Sequence, residues 1–495
     1  MSDQAALRLK DLPPEMLDFS ILKSTAALAP RLGRLSKAGR KTTLTPGLLG
    51  NTSRGAIPHI SQDNFRTCTA LNGVYVAIED FIEKMPRKTP PVFLLDSADS
   101  LRRFIALPPE TLLVLAARRN PPIPSPAANT NSEVGLLTSV GFRSMSAEYF
   151  AAAARKLQPD IVVGLADIPF GQEAVGTRRK DKMSDRTEVW MRDLIAKRDT
   201  IDKGEPRFDI FAPILPIEGD LQSWYLEHLV DDMADKIQGV AIYDAFLLDS
   251  LPVELHDLPR LSCDTPASPQ ALLRQINLGM DLFTVPFAAA ATDAGIALDF
   301  TFPAPINDGT GASRKPLGID MWQEEHALSV TPLTDDCKCY ACTKHHRAYI
   351  QHLLSAKEML GWALIQMHNY AILDAFFAGC RNSIDNGTFE EDVAAFDAYY
   401  EPALPEKTGQ GPRVRGYQFK PSEHGKPTKK NPKAYRQLNG GAQLHAMHGQ
   451  QPNKAPKVKD QIDDEALAGL VDFESLGNDV GEVVAEELKI EDDKS

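Results

Sequence analysis

The chain reads as an α/β protein whose parallel strands close into a barrel of (β/α)8 type. Short apolar runs alternate with helical patterns from near Thr43 onward, and alternation of that kind means a parallel sheet. It extends over about eight units, the number that closes such a sheet. Size agrees: 495 residues, 43% of them hydrophobic, can bury one large core. Length alone would also allow two or three smaller domains; the unbroken alternation selects the barrel.

Taken in order, residues 1–42 are expected to be an irregular N-terminal segment, with an early strand or turn over 26–35. Strands are predicted at 91–95, 112–116, 161–165, 210–215, 239–243, 259–262 and 281–285, each a short apolar run of β-forming residues. Between them, apolar residues at three and four spacing predict helices over 146–157, 188–198, 221–237 and 269–278. The last has clear ends: Ser268 as N-cap, Pro269 at the first helical position, and Gly279 as terminator. A long helical stretch is expected over 346–384, broken or bent near Gly361 and again near Gly379. Order is expected to begin near Thr43, with a cysteine-bearing subdomain at about 330–395 after the strands. From 396 to 495 a disordered tail is expected, basic then acidic, because it holds too little apolar surface to fold. Within it, 466–476 and 480–488 have the pattern of transient amphipathic helices.

Charge and cysteine content narrow the class. A formal net charge of −13 argues against nucleic-acid binding over the whole surface, so any RNA contact has to be local or shared with a partner. No apolar run reaches the length of about eighteen residues needed to span a bilayer, and the N-terminus lacks the order of a secretory signal. The expectation is a soluble, intracellular chain without an integral membrane segment. Six cysteines in a chain this long, three of them between 337 and 342, suit metal ligation in a reducing compartment better than a disulfide framework.

Cys337-Lys-Cys339-Tyr-Ala-Cys342 is the strongest chemical signal. Three thiolates this close can converge on one ion, and soft sulfur suits Zn²⁺. A structural tetrahedral site needs one more ligand, for which spacing leaves His345, His346, His352 and His368 open. The single cysteines Cys68, Cys263 and Cys380 read as small core residues.

C-x-C-x2-C followed after twenty-five residues by His resembles the zinc signature of the tRNA-guanine transglycosylases, the queuine tRNA-ribosyltransferase family. The resemblance implies that Cys337, Cys339, Cys342 and His368 bind one structural Zn²⁺ per chain. Thr52-Ser-Arg-Gly-Ala-Ile-Pro-His59, Leu157-Gln-Pro-Asp160, Pro259-Arg260 with Thr265-Pro266, and Gly279-Met-Asp-Leu-Phe283 extend it over 43–395, and 345–354 with 367–370 look like the eukaryotic branch. It implies an irregular (β/α)8 barrel with an inserted zinc-binding subdomain, in a cytoplasmic protein, with some members at the outer face of mitochondria. The family exchanges guanine at the wobble position of tRNA for queuine, on the tRNAs for Asp, Asn, His and Tyr in queuosine synthesis.

The same resemblance implies that this chain does no chemistry. Catalytic members carry Gly-x-Asp-x-Phe-Asp at a barrel strand end, where the last Asp attacks the ribose carbon as guanine leaves. Here the motif ends in Thr284, and no residue is assigned a catalytic role. Asp281 lies on the opposite face of that strand and also exists in active members, so a structural role is expected. No Lys or Arg occurs from 275 to 313, where active members engage RNA, and Tyr243 and Asp244 stand where the base pocket has glycines, as Ile217-Glu-Gly-Asp220 replaces another Gly-Gly. Asp167 looks retained from the base-recognition set, though read alone it is a barrel-end residue that bonds backbone. The pattern resembles a non-catalytic subunit that pairs with a catalytic homologue and holds tRNA through the complex. Bacterial relatives are homodimers, so a homodimer is an alternative assembly. Two rival readings stand beside it: an active enzyme using Asp281 or Asp167, and a zinc-stabilised barrel scaffold unrelated to tRNA.

Overall fold

A computed structural model describes residues 17–412, apart from 83–88, 96, 98, 126–127, 139–140, 172–174, 202–206 and 306–313. The tail helices expected at 466–476 and 480–488 lie outside the described residues. An antiparallel sheet opens the chain: β1 (Asp18–Ser24), β2 (Arg31–Ser36) and β3 (Thr43–Thr45). The stretch expected to be irregular over 1–42 thus contributes two strands, short and half-polar, which gave no long apolar run to read.

Eight strands then form a closed, all-parallel barrel. They are β4 (Gly47–Asn51), β5 (Gly73–Ala77), β6 (Leu112–Ala116), β9 (Ile161–Val163), β10 (Asp209–Ile214), β11 (Gly239–Ile242), β12 (Arg260–Ser262) and β13 (Leu282–Thr284). β7 (Glu133–Thr138) and β8 (Gly141–Ser146) form a hairpin outside it. Leu282–Thr284 pairs with Gly47–Leu49 to close the ring. Parallel strands buried on both faces read as continuous apolar runs. Leu112–Ala116 and Gly73–Ala77 do so with every residue buried; Gly73–Ala77 and Gly47–Asn51 both open on glycine, and the sequence reading missed both. Conversely, 91–95 is not a strand: Pro91–Leu94 is a 3-10 turn, with the two apolar side chains Val92 and Phe93 packed inward.

Helices cover the outside. Ala147–Leu157 and Pro269–Asn277 fall where expected, with Ser146 and Ser268 as N-caps accepting from Tyr149 and Ala271. Gly279 ends the second at φ +86°, with Ala29 O only 2.8 Å from where a Cβ would stand. The helix expected at 188–198 starts earlier, at Thr177, because its first turns are charged and carry no apolar stripe. That expected over 221–237 stops at Asp231. β14 (Ile296–Leu298) and β15 (Gly318–Asp320) then pair as a ribbon that leads into the cysteine loop. Beyond it, Arg347–Ser355 and Met359–Asn386 are separate helices, broken just before Gly361 as expected. No break occurs at Gly379; a Cβ there would stand 1.8 Å from Phe302 O, so this glycine serves close packing. Residues 401–412, expected in the tail, dock on the barrel side. Glu401 N donates to Lys315 O, Thr408 Oγ1 donates to Asp320 at 2.5 Å, and a Cβ on Gly409 would meet the Trp322 ring.

The N-terminal sheet closes the lower end of the barrel. Leu17 and Leu35 join the interior cluster of Leu49, Tyr75, Leu112, Val114, Phe211, Leu261 and Leu282. Around that plug, basic residues of the sheet and its following turn reach carboxylates at the starts of barrel strands. Arg31 meets Asp281 at 2.5 Å, Lys37 meets Asp209 at 2.5 Å, and Arg40 meets Asp160 at 2.9 Å. Asp281 is fully buried and accepts from Arg31 Nε and Nη2, Thr45 Oγ1 and the Arg260 amide. Removing one partner of such a pair leaves an uncompensated buried charge. Asp281→Ala is therefore expected to cost about 3–5 kcal/mol, read as a shift of the urea unfolding midpoint; a loss below about 1 kcal/mol would mean that Arg31 finds another partner.

Candidate functional site

Two sites are candidates, the cysteine loop and the barrel mouth. In the first, Asp336 takes a positive φ of 63° and turns the chain so that Cys337 and Cys339 precede the short helix Tyr340–Lys344. Cys339 caps that helix and accepts from the Cys342 amide at 3.4 Å. His368 arrives from the middle of Met359–Asn386, fully buried. Its Nε2 lies 2.8 Å from Leu298 O, a contact that leaves Nδ1 facing the sulfurs. Nδ1 is 3.7, 3.6 and 3.4 Å from the Sγ atoms of Cys337, Cys339 and Cys342, and all four ligand atoms lie within 4.8 Å of one another. A tetrahedral ion bound at about 2.3 Å to sulfur and about 2.0 Å to nitrogen sets sulfur–nitrogen edges of about 3.5 Å. The residues fit such an ion.

The other three histidines are elsewhere engaged. His345 stacks on Tyr349 with ring centroids 5.1 Å apart, His346 caps the next helix by accepting from the Tyr349 amide, and His352 is exposed. The sulfurs compete for ionisation. Contacts with Cys337 and Cys342 push the Cys339 thiol up, while Cys337 and Cys339 hold Cys342 down. Burial depresses the His368 imidazole, but the facing sulfurs of Cys337 and Cys342 outweigh it and carry it up to about 9.

The mouth is built by the alternation of side chains along each strand. Leu49, Ala116, Ala241, Leu261 and Leu282 face the interior. Two residues on, Asn51, Arg118, Tyr243, Cys263 and Thr284 therefore stand in the same inward register at the C-terminal ends. Thr284 is fully buried and accepts from Asn120 Nδ2 at 2.5 Å, and Asn51 in turn donates to the Asn120 carbonyl. Asp167 is also fully buried. Arg179 donates to both its oxygens at 2.5 and 2.6 Å, Asn129 at 2.7 Å and Arg186 at 3.1 Å. Burial acts to raise this carboxyl, yet hydrogen bonds from Arg179 and Asn129 hold it below the usual carboxylate range. Tyr243 turns inward, against the barrel-interior residues, and burial pushes its hydroxyl well above the ordinary value. Asp244 does not enter the mouth: it caps the turn Ala245–Ser250, accepting from the Phe246 amide at 3.0 Å. Glu218 is likewise turned away, exposed and paired with Lys180 at 2.6 Å.

Comparison with known proteins decides the family. Residues 27–402 match the family described as "Queuine tRNA-ribosyltransferase", about three quarters of the chain. The chain belongs to this family. It is 34% identical over 384 residues to "Queuine tRNA-ribosyltransferase accessory subunit 2" of Schizosaccharomyces pombe, covering 77% of this chain and 83% of that protein. It is 28% identical over 385 residues to the protein of that name from Drosophila pseudoobscura pseudoobscura, covering 74% and 88%, and 25% identical over 398 residues to the one from Danio rerio, covering 72% and 92%.

Within this family frame, the match takes in both the cysteine loop and the strand that ends at Thr284. It also begins at residue 27, ahead of the strand that carries Arg31, so the lower clasp of the barrel lies inside it. Among the described residues no helix is long and apolar enough to cross a membrane. Sequence reasoning did not find Asn120, Asn129, Arg118, Arg179 or Arg186. For the last two a signal existed: seven residues apart, they share one face of the helix Thr177–Asp199, two turns from each other. The others come from strand ends and loops with no periodicity to mark them.

Proposed function

We propose that this chain is the non-catalytic subunit of a heterodimeric queuine tRNA-ribosyltransferase. Its partner is a catalytic homologue, and together they exchange guanine for queuine at the wobble position of the tRNAs for Asp, Asn, His and Tyr. One observation carries the reading: the strand end at which the family delivers its nucleophilic carboxylate holds Thr284, buried beneath the Asn120 amide. Neither substitute nucleophile is free. Asp281 lies at the opposite end of the barrel, saturated by Arg31, Thr45 and the Arg260 amide, and Asp167 is held by two guanidiniums.

In this reading the chain orients tRNA and completes the dimer, while Cys337, Cys339, Cys342 and His368 hold one Zn²⁺. With all four positions supplied by protein, the ion has no open site for water, and it pins the loop to the long helix. A cytoplasmic location, with or without peripheral attachment at the mitochondrial outer membrane, belongs to the same reading. The test is affinity purification of the tagged full chain from its own cells. Recovery of a paralogue with an intact Gly-x-Asp-x-Phe-Asp motif is the expected result. Recovery of a homodimer alone would refute the heterodimer.

A further inference from the structure

Among the described residues, Arg118 stands in the mouth without an ion pair. It follows β6 in the inward register set by Val114 and Ala116, at the end of the barrel where strands deliver functional groups. Its guanidinium lies over the Phe170 ring, 5.0 Å from the centroid. Among the described residues its guanidinium has neither a carboxylate nor a hydrogen-bond acceptor within bonding distance, while its backbone carbonyl accepts from the Tyr75 hydroxyl.

The carboxylates around it are committed elsewhere. Glu79 accepts from Arg119 at 2.9 Å, Asp80 pairs with Arg119 at 3.0 Å, and Asp167 is taken by Arg179 and Arg186. Three guanidiniums, Arg119, Arg179 and Arg186, thus take up these three carboxylates, and Arg118 is left without an ion pair. Burial holds its pKa below the ordinary guanidinium value, a direction that an anion would reverse. Leaving a half-buried charge unanswered is costly, and a planar guanidinium suits the two-oxygen face of a phosphate.

We propose that Arg118 seats a phosphate group in the barrel mouth, so that the mouth of this chain takes an anion and not a base. The group comes either from an RNA backbone or from a small phosphate compound. The RNA source rests on the function proposed above; the phosphate seat itself does not.

Two measurements on the full chain test the seat without any partner. Inorganic phosphate, compared with chloride at equal ionic strength, is expected to raise the melting temperature saturably. The effect is expected to disappear in Arg118→Met and to survive, weakened, in Arg118→Lys. In the unaltered protein, the ¹⁵N-bound Hε resonance of Arg118 is expected to shift with the same midpoint, which covers a variant that fails to fold. An equal response in wild type and Arg118→Met, or an Hε resonance that phosphate leaves in place, would overturn the seat. The RNA arm uses the assembled complex. Arg118→Met is expected to lower the slope of log affinity for tRNA against log salt by about one. An unchanged slope, with phosphate binding intact, assigns the seat to a small phosphate compound and leaves the subunit reading standing on its own test.

Discussion

The purified chain alone is expected to catalyse no detectable exchange of guanine, and Thr284→Asp is expected to leave it inactive. Loss of a covalent nucleophile removes rate on the order of a million-fold in well-studied hydrolases. Restoring a carboxylate at 284 does not restore room for a base. The position is fully buried beneath the Asn120 amide, and Tyr243 fills the end of β11, two strands away. The aspartate that could grip a base, Asp167, is already gripped from three sides by Arg179, Arg186 and Asn129. Combined with its catalytic partner, the wild-type chain is expected to restore full exchange. Release of labelled guanine from tRNA by the chain alone would sink this account, as would full activity of the partner without it.

The second large effect concerns His368. Replacing it by Ala removes the one ligand that reaches the cysteines from the long helix, together with its contact to Leu298 O. Zinc content is expected to fall from about one equivalent per chain to a small fraction, because three ligands from one loop bind far more weakly than four. Stability is expected to drop on the order of 4 kcal/mol, the scale that loss of a structural metal reaches. A chelator is expected to destabilise the wild type by a similar amount and the variant hardly at all. Unchanged zinc and an unchanged melting curve in His368→Ala would refute the ligand set.

How far these features could be read from sequence depended on how local their signals were. Cys337, Cys339 and Cys342 declare themselves within six residues, and the capping signals at Ser268 and Gly279 are equally local. His368 was one of four candidates by spacing and became the choice only through the family resemblance; the fold brings it to the sulfurs and turns His345, His346 and His352 elsewhere. The ring of strands was legible as alternation, yet β4 escaped because Gly-Leu-Leu-Gly-Asn carries too few apolar residues to stand out, and the apolar run of β5 was missed as well. Asp281 was expected to be structural, and its partner Arg31 could not be named, since nothing in a linear pattern links residues 250 positions apart. Asp244 was assigned to the mouth through the family resemblance, and capping of the following turn draws it away.

That distance between Arg31 and Asp281 also sets a schedule. The first strand of the barrel pairs with the last, and the clasp beneath it joins residues separated by 250 positions. At a ribosomal rate of about 5–20 residues per second, the N-terminal sheet waits about 12–50 s for its partners to be synthesised. Throughout that interval Leu17, Leu35 and the aliphatic face of β4 have no barrel to enter. The nascent chain of this protein therefore exposes these apolar side chains until residue 284 has left the exit tunnel, and an early stop before that point releases a chain that cannot close.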